Sequence, residues 1–71
     1  GLAPIVVAQV FAVVDRIART GATVLIVEQN VFQTLQVADR GYVLEYSEIV
    51  LADASAALLD NDHVRRAYLG I

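Results

Sequence analysis

Three polar residues lie at the end of the most hydrophobic predicted strand, and they are the first candidates for chemistry. Residues 23–28 form this predicted strand, which ends at Glu28, and Gln29 and Asn30 come next. Open α/β sheets bind ligands at the carboxyl ends of their strands, so Glu28 and Gln29 lie at the usual location for ligand contacts. The alternative is that both residues are the polar boundary of a buried strand. Asn30 is better explained as the N-cap of a following helix.

A second group of residues with chemical potential lies near the C-terminus. His63 is the single histidine, and the chain has no cysteine to complete a metal site or a redox pair. We therefore predict no metal site and a solvated His63 on the surface. Arg65 and Arg66 could clamp an anion, but ion pairs with the nearby carboxylates, Asp60 and Asp62, explain them more simply. A Ser-His-Asp arrangement is not indicated, because the histidine lies in this acidic segment.

The composition excludes several classes of function. The chain has 71 residues, a net charge of −3 and only five basic residues, all arginine. Because no basic patch exists to displace counterions, we predict no nucleic-acid partner. The apolar stretch 2–14 is too short to cross a bilayer, which takes about 20 residues. The hydrophobic share is 58%, so we expect apolar surface that meets another part of a longer protein or another chain.

Four helices are predicted to position these residues. Helix 4–20 has Pro4 in its first turn, an apolar face over several turns, and Gly21 after its end. Asp15 and Arg19 are four residues apart and should pair on its polar face. The other predicted helices are 31–38, 55–59 and 62–69, with Asp53 or Ser55 as the cap of the third.

The strands are predicted to form a three-stranded mixed sheet of residues 23–28, 42–46 and 49–52. An unbroken apolar run such as 23–28 is typical of a strand buried in a parallel sheet. The 13 residues between Glu28 and Tyr42 fit a right-handed βαβ crossover, and the last two strands are close enough to form a hairpin. This order leaves the outer edge of 23–28 unpaired. Soluble proteins avoid such an edge, so we expect a longer parent or a second copy to cover it.

Four blocks of residues, in this order, resemble one protein family. They are Gly-Leu-Ala-Pro at 1–4, Thr-Val-Leu-Ile-Val-Glu-Gln-Asn at 23–30, Ala-Asp-Arg-Gly-Tyr-Val-Leu-Glu at 38–45 and Val-Arg-Arg-Ala-Tyr-Leu-Gly at 64–70. The family is the ATP-binding subunit of branched-chain amino acid ABC importers, and the resemblance is to its C-terminal third. It implies an α/β fold of the P-loop NTPase type, of which residues 1–71 would be a single C-terminal fragment.

The resemblance also implies roles for individual residues. Gly1 and Leu2 would belong to the D-loop, which contacts a partner subunit, and Gln29 would be the switch-loop residue that contacts the γ-phosphate of ATP. The Walker A, signature and Walker B motifs of the family are absent from the 71 residues. The isolated chain is therefore predicted to hold no cofactor and to lack ATP binding and hydrolysis, whereas an intact parent would use ATP and Mg.

The setting of such a parent follows from the resemblance as well. It would contact a second ATPase subunit and transmembrane permease subunits, and would be cytoplasmic, peripheral on the inner face of a bacterial plasma membrane. The alternative is a stand-alone module that self-associates through the edge of 23–28 or through helix 4–20. One departure from the family is the hairpin turn, where Tyr46-Ser47-Glu48 replaces the usual Asn-Gly and predicts a longer or altered turn.

Overall fold

The computed structural model describes residues 3–71 and contains helices, one hairpin and a helical C-terminus. The elements are α1 (Pro4–Arg19), α2 (Val31–Val37), β1 (Arg40–Glu45), β2 (Glu48–Ala54), α3 (Ser55–Leu59), α4 (Asp62–Val64) and a π-helical turn (Arg65–Leu69). Residues 62–69 are called the C-terminal helix below. Within residues 3–71, no helix is long and apolar enough to pass through a membrane.

Helix α1 forms as its sequence predicts. Pro4 occupies the first helical position after the Ala3 N-cap, where its missing N–H costs nothing. The predicted pair is present, with Arg19 Nε 2.9 Å from Asp15 Oδ2. The helix ends at Arg19, and Gly21 follows with a φ of 95°, a conformation that suits glycine.

Helix α2 is fixed at its start by Asn30, which confirms the predicted N-cap. The Oδ1 atom of Asn30 accepts a hydrogen bond from the Gln33 N–H at 3.3 Å. The helix ends at Val37, one residue before the predicted end, and Ala38 is already extended. Strand β1 then begins at Arg40, so the reversal between helix and strand takes very few residues.

The two strands form an antiparallel hairpin that is longer than predicted at its open end. The register pairs Arg40 with Ala54 and Glu45 with Glu48, with an irregularity after Val43. This register leaves a two-residue turn, Tyr46-Ser47. Of the two expected alternatives, a longer or an altered turn, the longer turn is wrong. Tyr46 and Ser47 have φ values of 52° and 65°, the type of backbone that hairpins of this length require and that Asn-Gly adopts more easily.

The core lies between α2, the hairpin, α3 and the C-terminal helix. Its fully or nearly buried members are Leu35, Leu58 and Val64. The partly buried side chains packed around them are Val31, Val43, Leu51, Leu59 and Leu69. Gly41 lies against this core so closely that a Cβ there would be 2.7 Å from Leu58 Cδ1. The absence of a side chain at this position lets the hairpin approach the helices.

The cap of α3 differs from the prediction. The N-cap residue is Ala54, which has no capping side chain. Asp53 uses its carboxylate to accept a hydrogen bond from the Ala54 N–H at 2.8 Å, and the Ser55 hydroxyl is buried without a hydrogen-bond partner. The C-terminal helix begins as predicted, with Asn61 Oδ1 accepting from the Val64 N–H at 3.0 Å.

The prediction of a strand at residues 23–28 is wrong for this chain. The segment has no assigned helix or strand and no strand partner within residues 3–71, and the sheet has two strands instead of three. Leu25 and Val27 are 87% and 91% exposed. A parallel pair is stable only when helices cover both faces of the sheet. Here α2 packs against α1, α3 and the π-helical turn, and within residues 3–71 no strand pairs with this segment.

Candidate functional site

The loop at residues 28–30 is held by its own polar side chains. Glu28 Oε1 accepts hydrogen bonds from the backbone N–H groups of Gln29 at 3.0 Å and of Asn30 at 3.3 Å. A carboxylate that accepts hydrogen bonds from two successive backbone N–H groups holds that part of the backbone in a tight turn. Glu28 therefore acts in this structure as a brace for the loop.

Asn30 fixes the other end of the loop. Its Nδ2 donates to Gln33 Oε1 at 2.8 Å while its Oδ1 caps the start of α2, so Asn30 and Gln33 support each other in both directions. Thr34 adds a hydrogen bond from its hydroxyl to the Asn30 carbonyl at 2.6 Å. The loop thus enters α2 in one defined orientation.

Among residues 28–30, Gln29 is the one whose side chain makes none of these hydrogen bonds. It is exposed, and within residues 3–71 its part in loop bonding is the backbone N–H given to Glu28. An amide side chain both donates and accepts hydrogen bonds. The structure thus places Glu28, Gln29 and Asn30 together in the loop, where two of them organise the backbone.

Two shallow hollows, of about 250 Å³ each, lie between α1 and this loop. Pro4, Val7, Asn30 and Gln33 line the first. Val7, Val10, Phe11, Glu28 and Asn30 line the second. Both volumes are below the usual range for small-molecule pockets, about 300–1,000 Å³. Among the described residues, neither lining contains a basic side chain, and the second contains the Glu28 carboxylate, which is unfavourable for a phosphate group.

A second cluster lies at the end of the hairpin and contains His63, which is exposed as predicted. Its Nε2 lies 2.9 Å from Glu45 Oε2, so His63 has a specific partner although half of its side chain is exposed. The Tyr68 hydroxyl donates a hydrogen bond to the same carboxylate oxygen. The rings of His63 and Tyr68 meet edge to face, with centroids 6.1 Å apart.

The contact between Glu45 and Tyr68 shifts the pKa of both groups. The hydrogen bonds from Tyr68 and His63 lower the pKa of Glu45 below its usual value. The same bond raises the pKa of Tyr68, because ionising the phenol would place a second negative charge beside Glu45.

Two arginines contact neighbouring side chains. Arg65 lies 3.8 Å from Asp60, which agrees with the predicted surface ion pair. Arg40 lies over the Tyr42 ring at 5.6 Å, a cation–π contact that the sequence did not indicate.

Within residues 3–71, no group of three potential metal ligands is present. Gly1 and Leu2, the predicted D-loop residues, lie outside the described part of the chain.

Sequence reasoning missed Glu45 and Tyr68 as members of a cluster. They are 23 residues apart, and neither the strand pattern nor the helix pattern singles them out. Their contact depends on how the C-terminal helix meets the hairpin. The sole available signal was Glu45 itself, a charged residue at the end of a hydrophobic strand.

Comparison with known proteins shows similarity to ATP-binding proteins of ABC transporters. The chain is 54% identical over 70 residues to the high-affinity branched-chain amino acid transport ATP-binding protein BraG of Pseudomonas aeruginosa. It is 31% identical over 70 residues to the lipopolysaccharide export system ATP-binding protein LptB of Escherichia coli. It is 37% identical over 70 residues to an uncharacterised ABC transporter ATP-binding protein of Rhizobium meliloti. No family model matches the chain.

These matches cover nearly the whole chain but a minor part of each relative. Each match covers 99% of this chain. The matched segment is 30% of BraG, 29% of LptB and 26% of the Rhizobium protein. The chain therefore spans about 30% of the length of the first relative. The resemblance to the ATP-binding subunit of branched-chain amino acid ABC transporters is confirmed.

Proposed function

We propose that this chain, which is similar over 99% of its length to a segment of an ABC transporter ATP-binding protein, is the C-terminal part of such a subunit. The parent subunit would power uptake of branched-chain amino acids. This chain would contribute the switch loop at residues 27–30, the C-terminal hairpin and the helices that follow.

The observation that carries the proposal is the arrangement of the loop. Glu28 and Asn30 use their side chains to hold the backbone, and Gln29 between them is exposed. A switch residue must reach a phosphate that the rest of the subunit holds, so it needs a fixed backbone and a free side chain. The amide of Gln29 would donate a hydrogen bond to a γ-phosphate oxygen or orient the attacking water.

The isolated chain is proposed to bind no nucleotide. No lysine is present to reach a phosphate, and no G-x-x-x-x-G-K-[ST] loop is present to cradle one. The hollows beside the loop have no basic lining. ATP and Mg would be held by the part of the parent that precedes this segment, and Gly1 and Leu2 would reach the second ATPase subunit through the D-loop.

The parent would work at a membrane without entering it. Permease subunits would span the membrane, and the ATP-binding subunit would sit on the cytoplasmic face of the bacterial inner membrane. This assignment rests on the similarity to transport ATP-binding proteins.

The test uses a chimera in which this segment replaces its counterpart in BraG. We expect the chimera to hydrolyse ATP, and Gln29→Ala in it to lower kcat by at least about tenfold, as removal of a positioned donor does. Gln36→Ala is the matched control, because Gln36 is an exposed glutamine on α2, and it should leave kcat unchanged. An unchanged kcat in Gln29→Ala would contradict the role of Gln29.

The isolated chain provides a second test. Calorimetric titration with Mg-ATP should give no saturable heat. A stoichiometric isotherm with a micromolar Kd would overturn the proposal that the nucleotide site lies elsewhere in the parent.

A second candidate function is a stand-alone module that self-associates, and a specific observation favours it. Leu25 and Val27 are 87% and 91% exposed, and Ile5 on α1 is 69% exposed. A second copy could pair its own 23–28 segment with this one and cover both apolar surfaces. Light scattering after size exclusion should then show a dimer, and a stable monomer at high dilution would reject this candidate.

A further inference from the structure

The cluster of Glu45, His63 and Tyr68 joins two parts of the fold that are far apart in the chain. Glu45 is the last residue of β1, and its two partners lie 18 and 23 residues later on the C-terminal helix. Both partners reach the same atom, Oε2 of Glu45. The cluster is therefore a polar attachment of this helix to the tip of the hairpin, separate from the loop at residues 28–30.

The π-helical turn brings the two partners to one side of the helix. In a regular α-helix, residues five apart would point about 140° away from each other. A π-helical turn holds more residues per turn, with hydrogen bonds between residues five apart, and such turns are frequent at functional sites. The Gly70 N–H donates to the Arg65 carbonyl in this way. His63 and Tyr68, also five apart, face Glu45 together.

The hydrogen bonds define which atoms carry protons. An ionised carboxylate only accepts hydrogen bonds, so the His63 Nε2 must carry a hydrogen, as it does in one neutral tautomer and in the imidazolium. The Tyr68 phenol must be protonated to donate. The attachment therefore needs an ionised Glu45 and a neutral Tyr68.

The remaining charged groups near Glu45 do not replace these partners. Glu48 is its pairing partner across the hairpin, and like charges that face each other across strands are destabilising. On the helix, Arg65 lies 3.8 Å from Asp60. Within residues 3–71, the titratable groups that pair with or bond to Glu45 are thus Glu48 from β2, and His63 and Tyr68 from the C-terminal helix.

We propose that Glu45, His63 and Tyr68 form an acid-released latch that holds the C-terminal helix on the hairpin. With Glu45 ionised, both donors are engaged and the helix is held. Protonation of Glu45 removes the charge that strengthens both hydrogen bonds. Opening of residues 62–69, in which Val64 leaves the core, then costs less free energy, while Leu35 and Leu58 stay in place.

The directions of the pKa shifts of Glu45 and Tyr68 determine the pH range in which the latch is closed. The pKa of Glu45 is lowered in the fold, so its contribution is present above the ordinary carboxyl pKa and is lost as pH falls through the folded value. The pKa of Tyr68 is raised, so its contribution is present below the ordinary phenol pKa and is lost as pH rises through the folded value. The latch is closed between these limits and opens in acid.

Residue-resolved amide hydrogen exchange of the 71-residue chain tests the latch. Near neutral pH, Glu45→Gln should raise the opening equilibrium of the amides in residues 64–69 by on the order of fivefold, the effect of losing a typical hydrogen bond. The amides of α2 should be unchanged. In the unsubstituted chain, the same selective loss of protection, corrected for intrinsic exchange, should appear when pH falls through the Glu45 titration.

Two further variants keep the test decisive. Tyr68→Phe keeps the ring and removes the hydroxyl, so it should also open residues 64–69, and it should raise the Glu45 pKa measured by carboxyl carbon-13 NMR. Glu48→Gln is the matched control at the facing carboxylate and should not open the helix. Equal protection in Glu45→Gln, Tyr68→Phe and Glu48→Gln would overturn the latch, and so would a loss of protection spread evenly over all helices in the first two.

Discussion

The part of the chain before α2 and the part after it are both rich in valine, leucine and isoleucine, yet they use these residues differently. From α2 onward, Leu35, Leu58 and Val64 are buried in one cluster. Within residues 3–30, Phe11 is the buried apolar residue, and Leu25 and Val27 are almost fully exposed. Hydrophobic side chains therefore form a core only where the chain also supplies surfaces that face each other.

The physical difference lies in the length of chain that each contact closes. The hairpin pairs neighbouring residues through a two-residue turn, and α3 follows β2 directly. Short closures of this kind cost little entropy. The segment 23–28 would need a parallel partner reached across α2 and a second layer to cover it. The described part of the chain provides neither.

The largest expected effect compares the same substitution in both parts. Leu58→Ala should destabilise the fold by about 2–5 kcal/mol, because Leu58 is 1% exposed and its removal leaves a cavity. Leu25→Ala, at a site 87% exposed, should change the free energy of unfolding by less than about 0.5 kcal/mol. Urea unfolding followed by circular dichroism measures both. Similar costs for the two variants would show that residues 23–28 are packed in solution, and would break the comparison.

The next effect concerns the close approach at Gly41. Gly41→Ala should cost about 1–3 kcal/mol, because the new Cβ would lie 2.7 Å from Leu58 Cδ1 and 3.1 Å from Leu35 Cδ2. The double variant Gly41→Ala with Leu58→Ala should cost less than the sum of the two, since the second change removes the clashing atom. If the costs of the two single variants are additive in urea unfolding, the strain of Gly41→Ala does not come from its contact with Leu58.

The hairpin turn should give an effect of the opposite sign. Tyr46 and Ser47 have positive φ values without being glycine, and Tyr46 is fully exposed, so its side chain contributes little packing. Replacing them with Asn and Gly should stabilise the hairpin by roughly 1 kcal/mol or more. Ser47→Ala is the control that keeps the Cβ, and it should give no gain in the melting temperature. A loss of stability in the Asn-Gly variant would mean that Tyr46 has a partner.

The smallest effect on stability is expected at Val27. Substitution there tests whether the exposed segment 23–28 is covered by a second copy of the chain. Val27→Thr should leave the free energy of unfolding within about 0.5 kcal/mol, because the side chain is 91% exposed. If a second copy covers this segment, the same substitution should weaken dimerisation in light scattering across a dilution series. An unchanged dimer would place the contact on α1 or on the hairpin.

Much of the local structure was predictable because it depends on neighbouring residues. Pro4 and Gly21 mark the ends of α1, and Asn30 caps α2 as predicted. The cap of α3 was not predictable in this way, since Ala54 takes the position and Asp53 bonds to its N–H instead. The loop at residues 28–30 was predicted as a site from the sequence, but the bracing role of Glu28 was not.

Errors arose where a residue's environment depends on distant parts of the chain. His63 is exposed as expected, but its cluster with Glu45 and Tyr68 was not predicted, because that contact forms only when the C-terminal helix lies on the hairpin. The strand at 23–28 was expected from an apolar pattern, yet a pattern states that residues suit burial without supplying the partner that buries them.

The sequence by itself determined where helices begin and end, where the hairpin lies, and that the chain resembles an ATP-binding subunit, because caps, periodicity and residue blocks are local properties. Tertiary structure alone decided which apolar runs become a core and which polar groups meet. Those outcomes depend on surfaces brought together from distant positions, and the free energy of each contact exists only when both sides are in place.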